Sequence, residues 1–261
     1  MVRAVSSRGA VPAITAVVHG VATAGLDDAE LERFLRREGI GKVSARDLPM
    51  AMARGTDGAT TVAAAIAIAA LAGIDVFSTG GIGGVHRAAA RITYDESADL
   101  VEMARTPVLV VSAGAKSILD VEATMERLET LGVPLIGYRT DEMPGFFSAE
   151  TGLHLSTRAD SPAEVGAMWR AHRALGRRTA ILVVQPPPAD VALTRRTVED
   201  AVAAAMDAAR SEGVQGAALT PFLLAAVERE TGGWSLGANL ALLESNAMLA
   251  TEIALELAPS S

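Results

Sequence analysis

From residue 73 to residue 185, short apolar runs alternate with amphipathic helical patterns, and this alternation constrains the fold more than any other feature of the chain. "GIDVFST" reads as a buried strand, "SADLVEMART" as a helix, "PVLVVSA" as a strand and "KSILDVEATMERLETLG" as a helix. "VPLIGY", "SPAEVGAMWRAHRALG" and "TAILVVQ" continue as strand, helix and strand. Strands apolar at successive positions are buried on both faces, so the pattern predicts a layered α/β fold whose largely parallel central sheet carries helices on both sides. Ahead of it, "VPAITAVVHGVATAG" predicts a strand pair turning at His19-Gly20. "LDDAELERFLRREG" predicts a helix with Asp27 and Glu30 at capping-box spacing and Gly39 closing it. The run Thr60 to Ile74 is too short and Ala-rich to span a bilayer and predicts a buried helix. From Thr194 onward the pattern is nearly all helix, "QPPPADVALT" is the one linker-like stretch, and a single domain over residues 1–261 is expected.

Half of the 261 residues are hydrophobic, enough to bury a large core. A net charge of -8 with no run of like charges argues against a nucleic-acid partner. With no cleavable signal segment and no bilayer span, a cytoplasmic protein without a membrane partner is expected. The absence of Cys removes disulfides, thiol catalysis and thiolate ligands, so a metal would rest on carboxylates, His and backbone oxygens. No serine-hydrolase elbow or zinc-peptidase pair is present.

The 23 basic residues comprise 21 Arg and only two Lys, Lys42 and Lys116. Arg replaces Lys wherever a positive charge suffices, but a guanidinium cannot readily deprotonate to act as a nucleophilic amine. Lys116 stands in "VVSAGAKSILD", where a strand is expected to give way to a helix. The helix dipole and partial burial there would both lower its pKa, and a neutral lysine is a competent Schiff-base nucleophile. Ser112 to Ala115 are small and leave room for a substrate.

Ligands of α/β folds gather at the carboxyl ends of strands, and two further junctions carry unusual residues. In "FSTGGIGGVHR" four glycines allow backbone amides to approach an anion. The pattern is neither a dinucleotide fingerprint nor a P-loop, and a tight turn and a phosphate cradle, with His86 and Arg87 beside it, are both open readings. In "YDESADL", Asp95, Glu96, Ser97 and Asp99 crowd a helix start, and N-capping and a hard divalent cation are both open. Asn occurs only at Asn239 and Asn246, both on the last predicted helix, where the amides could read a nucleobase or bond within the bundle.

Taken together, "KVSARDLP", "DGATTVAAAI", "ALAGIDVFSTGGIGGVHR", "DESADL", "VVSAGAKSILD", "LETLGVPLIGYRTDEMPGFF", "TPFLL" and "SLGANLALLESNAMLATEIA" resemble the pseudouridine-5'-phosphate glycosidases, the IndA/PsuG type. The matches run in family order over most of the chain. The resemblance implies a three-layer α/β/α fold, a homotrimer, and reversible cleavage of pseudouridine 5'-phosphate to uracil and ribose 5-phosphate. Because the bond broken is carbon to carbon, there is no glycosidic oxygen for paired carboxylates to protonate. The family uses a lysine imine with the anomeric carbon of the opened sugar, and position matching places that lysine at Lys116. The same matching implies Asp95 for Mn²⁺ or another divalent cation such as Mg²⁺. It implies Lys42, Ser97, Ala98 and Asp99 for the sugar-phosphate end, Val62 for the pocket wall and Asn239 for the base. Thr79 and His86 lie in the matched glycine loop.

Departures accompany the match. The family carries, ahead of the region matching "RGAVPAITAVVHG", a strand and helix around an "ALES" segment whose Glu donates a proton, and no counterpart precedes that region here. Either the true start lies upstream of Met1 or the segment is lost, and its loss would expose an apolar sheet edge and slow proton transfer. Ala88, Glu96, Gln185 and Ala217 replace a Gly, an apolar residue, an Asn and a Lys of the family. Relatives that join ribose 5-phosphate to other aromatic or heterocyclic acceptors imply a C-ribosyl transferase as a second reading. An inactive sugar-phosphate-binding homologue is the third.

Overall fold

The computed structural model describes residues 1–87, 94–214 and 218–258. The family departures at Ala88 and Ala217 fall outside the described residues. The chain opens with α1 (Val2–Ser6), β1 (Thr15–Val18) and β2 (Val21–Ala24). The β1–β2 turn falls at His19 and Gly20, whose φ of 49° and 79° supply the two positive values that a type I′ hairpin needs. α2 (Asp28–Leu35) carries the expected Asp27/Glu30 capping box. It ends before Gly39, because Arg37 has already turned to a φ of 61°.

β3 (Gly41–Val43), α3 (Leu48–Ala53) and β4 (Gly58–Thr60) follow, and the first four strands form a small mixed sheet of order β2-β1-β4-β3. The sequence pattern gave no sign of β3 and β4. Strands of three residues are too short to display a period of two.

α4 (Val62–Leu71) is the buried helix expected from the Thr60–Ile74 run. It is apolar on every side because it lies between two layers: Ala64 and Ile68 pack on Val17 and Val43 of the small sheet, and Ile66 faces the main core.

The main sheet has the order β10-β9-β11-β7-β5 and is parallel throughout. Its strands are β5 (Val76–Ser78), β7 (Leu109–Ser112), β9 (Leu135–Tyr138), β10 (Arg158–Ala159) and β11 (Ile181–Val184). Between β5 and β7 lie β6 (Val85–His86) and α5 (Ala98–Met103). β8 (Leu119–Asp120) pairs antiparallel with β6 and leads into α6 (Val121–Thr130). α7 (Pro162–Ala174) precedes β11, and α8 (Arg195–Ser211), α9 (Leu219–Glu230) and α10 (Trp234–Leu257) complete the helical C-terminal region.

The two sheet faces are covered by different helices. Val110, Leu182 and Val184 pack with Leu100, Leu128, Val202 and Leu223 of α5, α6, α8 and α9. Leu109, Val111, Ile181 and Val183 pack with Val165 and Trp169 of α7 and Leu249 and Ile253 of α10. Consecutive strand residues thus serve opposite cores, which is the physical reason for their unbroken apolar runs. This is the three-layer α/β/α arrangement. β5 forms one edge of the sheet, and an apolar cavity of about 720 Å³ runs beside it, lined by Val76, Phe77, Thr79, Val62 and Ala250 among others. Among the described residues, no helix is long and apolar enough to cross a membrane.

Candidate active site

Two loops leave the carboxyl ends of adjacent parallel strands and lock together. From β5 the chain runs through Thr79 into Gly80–Gly84, and from β7 through Ala113 and Gly114 to Lys116. Ala113 N–H donates to Gly80 O at 2.9 Å, Ile82 N–H to Gly114 O at 3.0 Å and Lys116 N–H to Ile82 O at 3.1 Å, so the sheet ladder continues past the strand ends. Lys116 is therefore held by its backbone to the glycine loop.

The Lys116 side chain is half-buried. Burial pushes its ammonium below the usual lysine range; Asp99 opposes this through its negative charge, and Lys42 adds to it through charge repulsion. The expected contribution of a helix dipole is absent. After Lys116 come a turn and β8, and α6 begins only at Val121, with Asp120 as its cap. The amine is tuned by desolvation, the effect that disfavours a charged form in a low-dielectric site.

Asp99 is 5% exposed and joins the walls of this site. One carboxylate oxygen accepts from Ala63 N–H at 2.9 Å in the first turn of α4, the other from Gly83 N–H at 2.8 Å. An anion at a helix N-terminus is favoured by the orphan amides and the macrodipole. A Cβ on Gly83 would collide with Ser97 Oγ and stand 2.8 Å from Asp99 Oδ2, so this glycine exists for close approach. Ser97 is the N-cap of α5, accepting from Asp99 N–H at 3.2 Å, and the neighbouring Ala98 is exposed.

The remaining candidates fall around this core. Lys42 is exposed on β3, close enough to act electrostatically on Lys116. Val62 and Thr79 line the apolar cavity beside β5. Ser78 Oγ, buried in the same wall, has no hydrogen-bond partner among the described residues. Asn239 Oδ1 lies 3.2 Å from where a Cβ on Gly80 would stand, which places the amide over the glycine loop. Asn246 is committed to the fold. Its Nδ2 donates to Thr79 O at 2.9 Å and its Oδ1 accepts from Gln185 Nε2 at 2.8 Å.

His86 N–H donates to Asp95 O, and the His86 Nδ1 to Asp95 Oδ2 distance is 3.9 Å. Glu96 turns away to Arg127 at 2.8 Å. No group of three or more His, Asp or Glu able to hold a metal forms among the described residues. The Asp95 and His86 pair therefore makes no closed protein cage. The pair supplies one carboxylate and one imidazole, so a cation bound there would take its other ligands from water.

Sequence reasoning missed Ile82, whose backbone holds Lys116, and Phe146, whose ring packs on Gly81. Neither has a local signature, since an apolar residue in a loop has no periodicity to read.

Fold and site define a class: an α/β protein with a lysine whose pKa is lowered by burial, set at the strand ends between a glycine loop and a second cation. Residues 1–256 match the family described as indigoidine synthase A like protein, and the chain belongs to that family. It is 62% identical to a pseudouridine-5'-phosphate glycosidase of Gemmatimonas aurantiaca over 98% of this chain and 83% of that protein. A pseudouridine-5'-phosphate glycosidase of Herpetosiphon aurantiacus is 51% identical over 97% of this chain and 83% of its own length. Among solved structures, the prealnumycin C-glycosynthase AlnA in complex with ribulose 5-phosphate superposes with a TM-score of 0.93. That protein is 42% identical, with 98% of this chain and 84% of the other covered. An indigoidine synthase A-like protein of Thermotoga maritima gives a TM-score of 0.89 at 38% identity, covering 98% of this chain and 84% of the other.

Proposed function

We propose that this protein is an enzyme that reversibly cleaves the carbon–carbon glycosidic bond of pseudouridine 5'-phosphate, giving uracil and ribose 5-phosphate, with Lys116 as the nucleophile. The observation that carries the reading is the half-buried amine of Lys116, its pKa lowered by desolvation, in a chain 62% identical to a glycosidase of that name. The amine replaces the ring oxygen at the anomeric carbon as the sugar opens. Its lone pair then forms a C=N bond while the carbon–carbon bond breaks, and that electron pair leaves on the base carbon, which takes up a proton. Water hydrolyses the imine and returns the amine.

The other residues bind and orient. Lys42 and the Ser97–Ala98–Asp99 segment face the sugar-phosphate end, and each Asp99 oxygen keeps a lone pair for a ligand beyond its backbone partner. Val62 and Thr79 shape the pocket, His86 borders the glycine loop, and Asn239 meets the base. Asp95, with His86 beside it, would hold a hydrated Mn²⁺, which supplies positive charge against the phosphate. Residues 1–261 act as one domain in a cytoplasmic homotrimer. In support of assembly, Trp234, Leu236 and Leu240 are 50%, 52% and 61% exposed around Asn239, apolar surface that a second copy would cover.

The 42% identity to a C-glycosynthase favours a second reading, with the same Lys116 imine and another aromatic acceptor. Uracil release from pseudouridine 5'-phosphate with Mn²⁺, compared with the Lys116→Ala variant, tests the proposal. Release that disappears in the variant is expected. No release from the folded wild type, with coupling of ribose 5-phosphate to a different aromatic acceptor, would move the assignment to the synthase.

A further inference from the structure

We propose that Phe146 is a positioning residue for the reaction, its ring pressing the glycine loop against the loop of Lys116 so that the amine stands where the sugar needs it. The inference rests on the Lys116 reading above and concerns a residue outside the loops that carry Lys116 and its partners.

The starting observation is a backbone outlier. Phe146 has φ 67° at 4% exposure, a region that a bulky side chain rarely enters. Phe147 N–H donates to Gly145 O at 2.9 Å, so Phe146 is the central residue of a γ-turn with positive φ, the rare and strained form. The surrounding structure holds it there. Gly145 N–H donates to Ser148 O at 3.0 Å, Leu193 N–H to Phe147 O at 2.8 Å, and Met143 N–H to Leu153 O at 2.8 Å. The Phe147 ring packs edge-on against Phe146 with centroids 4.5 Å apart.

This turn aims at the two catalytic loops. A Cβ on Gly81 would stand 2.6 Å from two carbons of the Phe146 ring and 3.0 Å from Gly114 O, so the ring rests directly on the glycine backbone. Gly114, at φ +85°, packs on the same segment: a Cβ there would stand 2.7 Å from Pro144 O. Gly81 and Gly114 flank the Ile82 hydrogen bonds that fix Lys116. A strained turn whose Phe146 ring meets Gly81 while its neighbour Pro144 meets Gly114 is placed to set their spacing, and strain of this kind is kept only where surrounding structure enforces it. Among the described residues, no other bulky side chain stands as close to Gly81.

Phe146→Gly removes the ring while keeping a residue that accepts this φ, and Phe146→Leu keeps part of the apolar contact. Amide hydrogen exchange of the whole protein without substrate reads the geometry directly. Protection of Ile82 and Lys116 N–H is expected to fall in Phe146→Gly and less in Phe146→Leu. With pseudouridine 5'-phosphate, kcat is expected to fall at least about tenfold, toward the roughly hundredfold that an ångström-scale misplacement costs. KM is expected to change by less than about twofold, the pattern of an interaction that matters in the transition state alone. Unchanged protection of Ile82 and Lys116 overturns the inference whatever the activity, as does a kcat loss no larger than the loss of folded protein. Lowered protection in a protein whose wild type releases no uracil sinks the proposed function and leaves the positioning of the Lys116 loop standing.

Discussion

An amine must be neutral to attack carbon, and burial pushes the Lys116 pKa toward that state, with Asp99 limiting how far the shift goes. Two outcomes follow at this scale. The rate should fall with decreasing pH as Lys116 takes up its proton, along a limb lying below the ordinary lysine value of 10.5. Asp99→Asn removes the one charge that opposes the shift, so its limb should move to lower pH in a pH–rate profile. Stability has the matching sign. A lysine whose folded pKa is depressed binds fewer protons folded than unfolded, so stability rises with pH across the window between the lowered value and 10.5. At pH 7 the site is a cost, and Lys116→Met should abolish activity while raising the melting temperature by about 2–4 °C per kcal/mol recovered, as seen by calorimetry. A lowered melting temperature in that variant would contradict burial as the cause.

The elements around Lys116 are joined by a few backbone bonds whose loss should be measurable. Asp99→Ala would leave the Ala63 and Gly83 amides unpaired, at about 1–3 kcal/mol each, to be read from urea denaturation. Gly83→Ala must displace Ser97 and Asp99 together, so it should reduce activity more than any surface Gly→Ala change. Much of this architecture was legible in the sequence. β7, β9 and β11 show themselves as apolar runs because both faces are buried, and α4 because it is enclosed between two sheets; β5 reads the same way but is only half-buried, at the sheet edge. The hairpin at His19-Gly20 and the capping box of α2 were equally plain, since both are local chemistry. β3, β4, β6, β8 and β10 were not, being two or three residues long and defined by partners distant in sequence. The helix expected from Lys116 onward begins instead at Val121, because residues 116–120 are used for a turn and for pairing β8 with β6. The scarcity of Lys pointed to Lys116; the clamp by Asp99 and the wedge of Phe146 depend on tertiary contacts that no local pattern encodes.

At the scale of the whole molecule, the main sheet offers its strand ends to the ligand and α10 brings Asn239 over them, with Trp234, Leu236 and Leu240 exposed alongside. If those side chains are covered by a second copy, as proposed, Leu236→Asp with Leu240→Asp should give monomers where the wild type sediments as a trimer, while leaving the far-UV spectrum unchanged. A wild-type monomer would remove the trimer from the account. The central claim is that one lysine of two carries the chemistry, and the chain's composition makes that claim easy to test. The measurement is borohydride reduction of the protein with ribose 5-phosphate, followed by peptide mapping. A reduced sugar-phosphate adduct on Lys116 and none on Lys42 is expected, lost in Lys116→Ala. An adduct on Lys42, or uracil release at full rate by Lys116→Ala, would contradict the assignment.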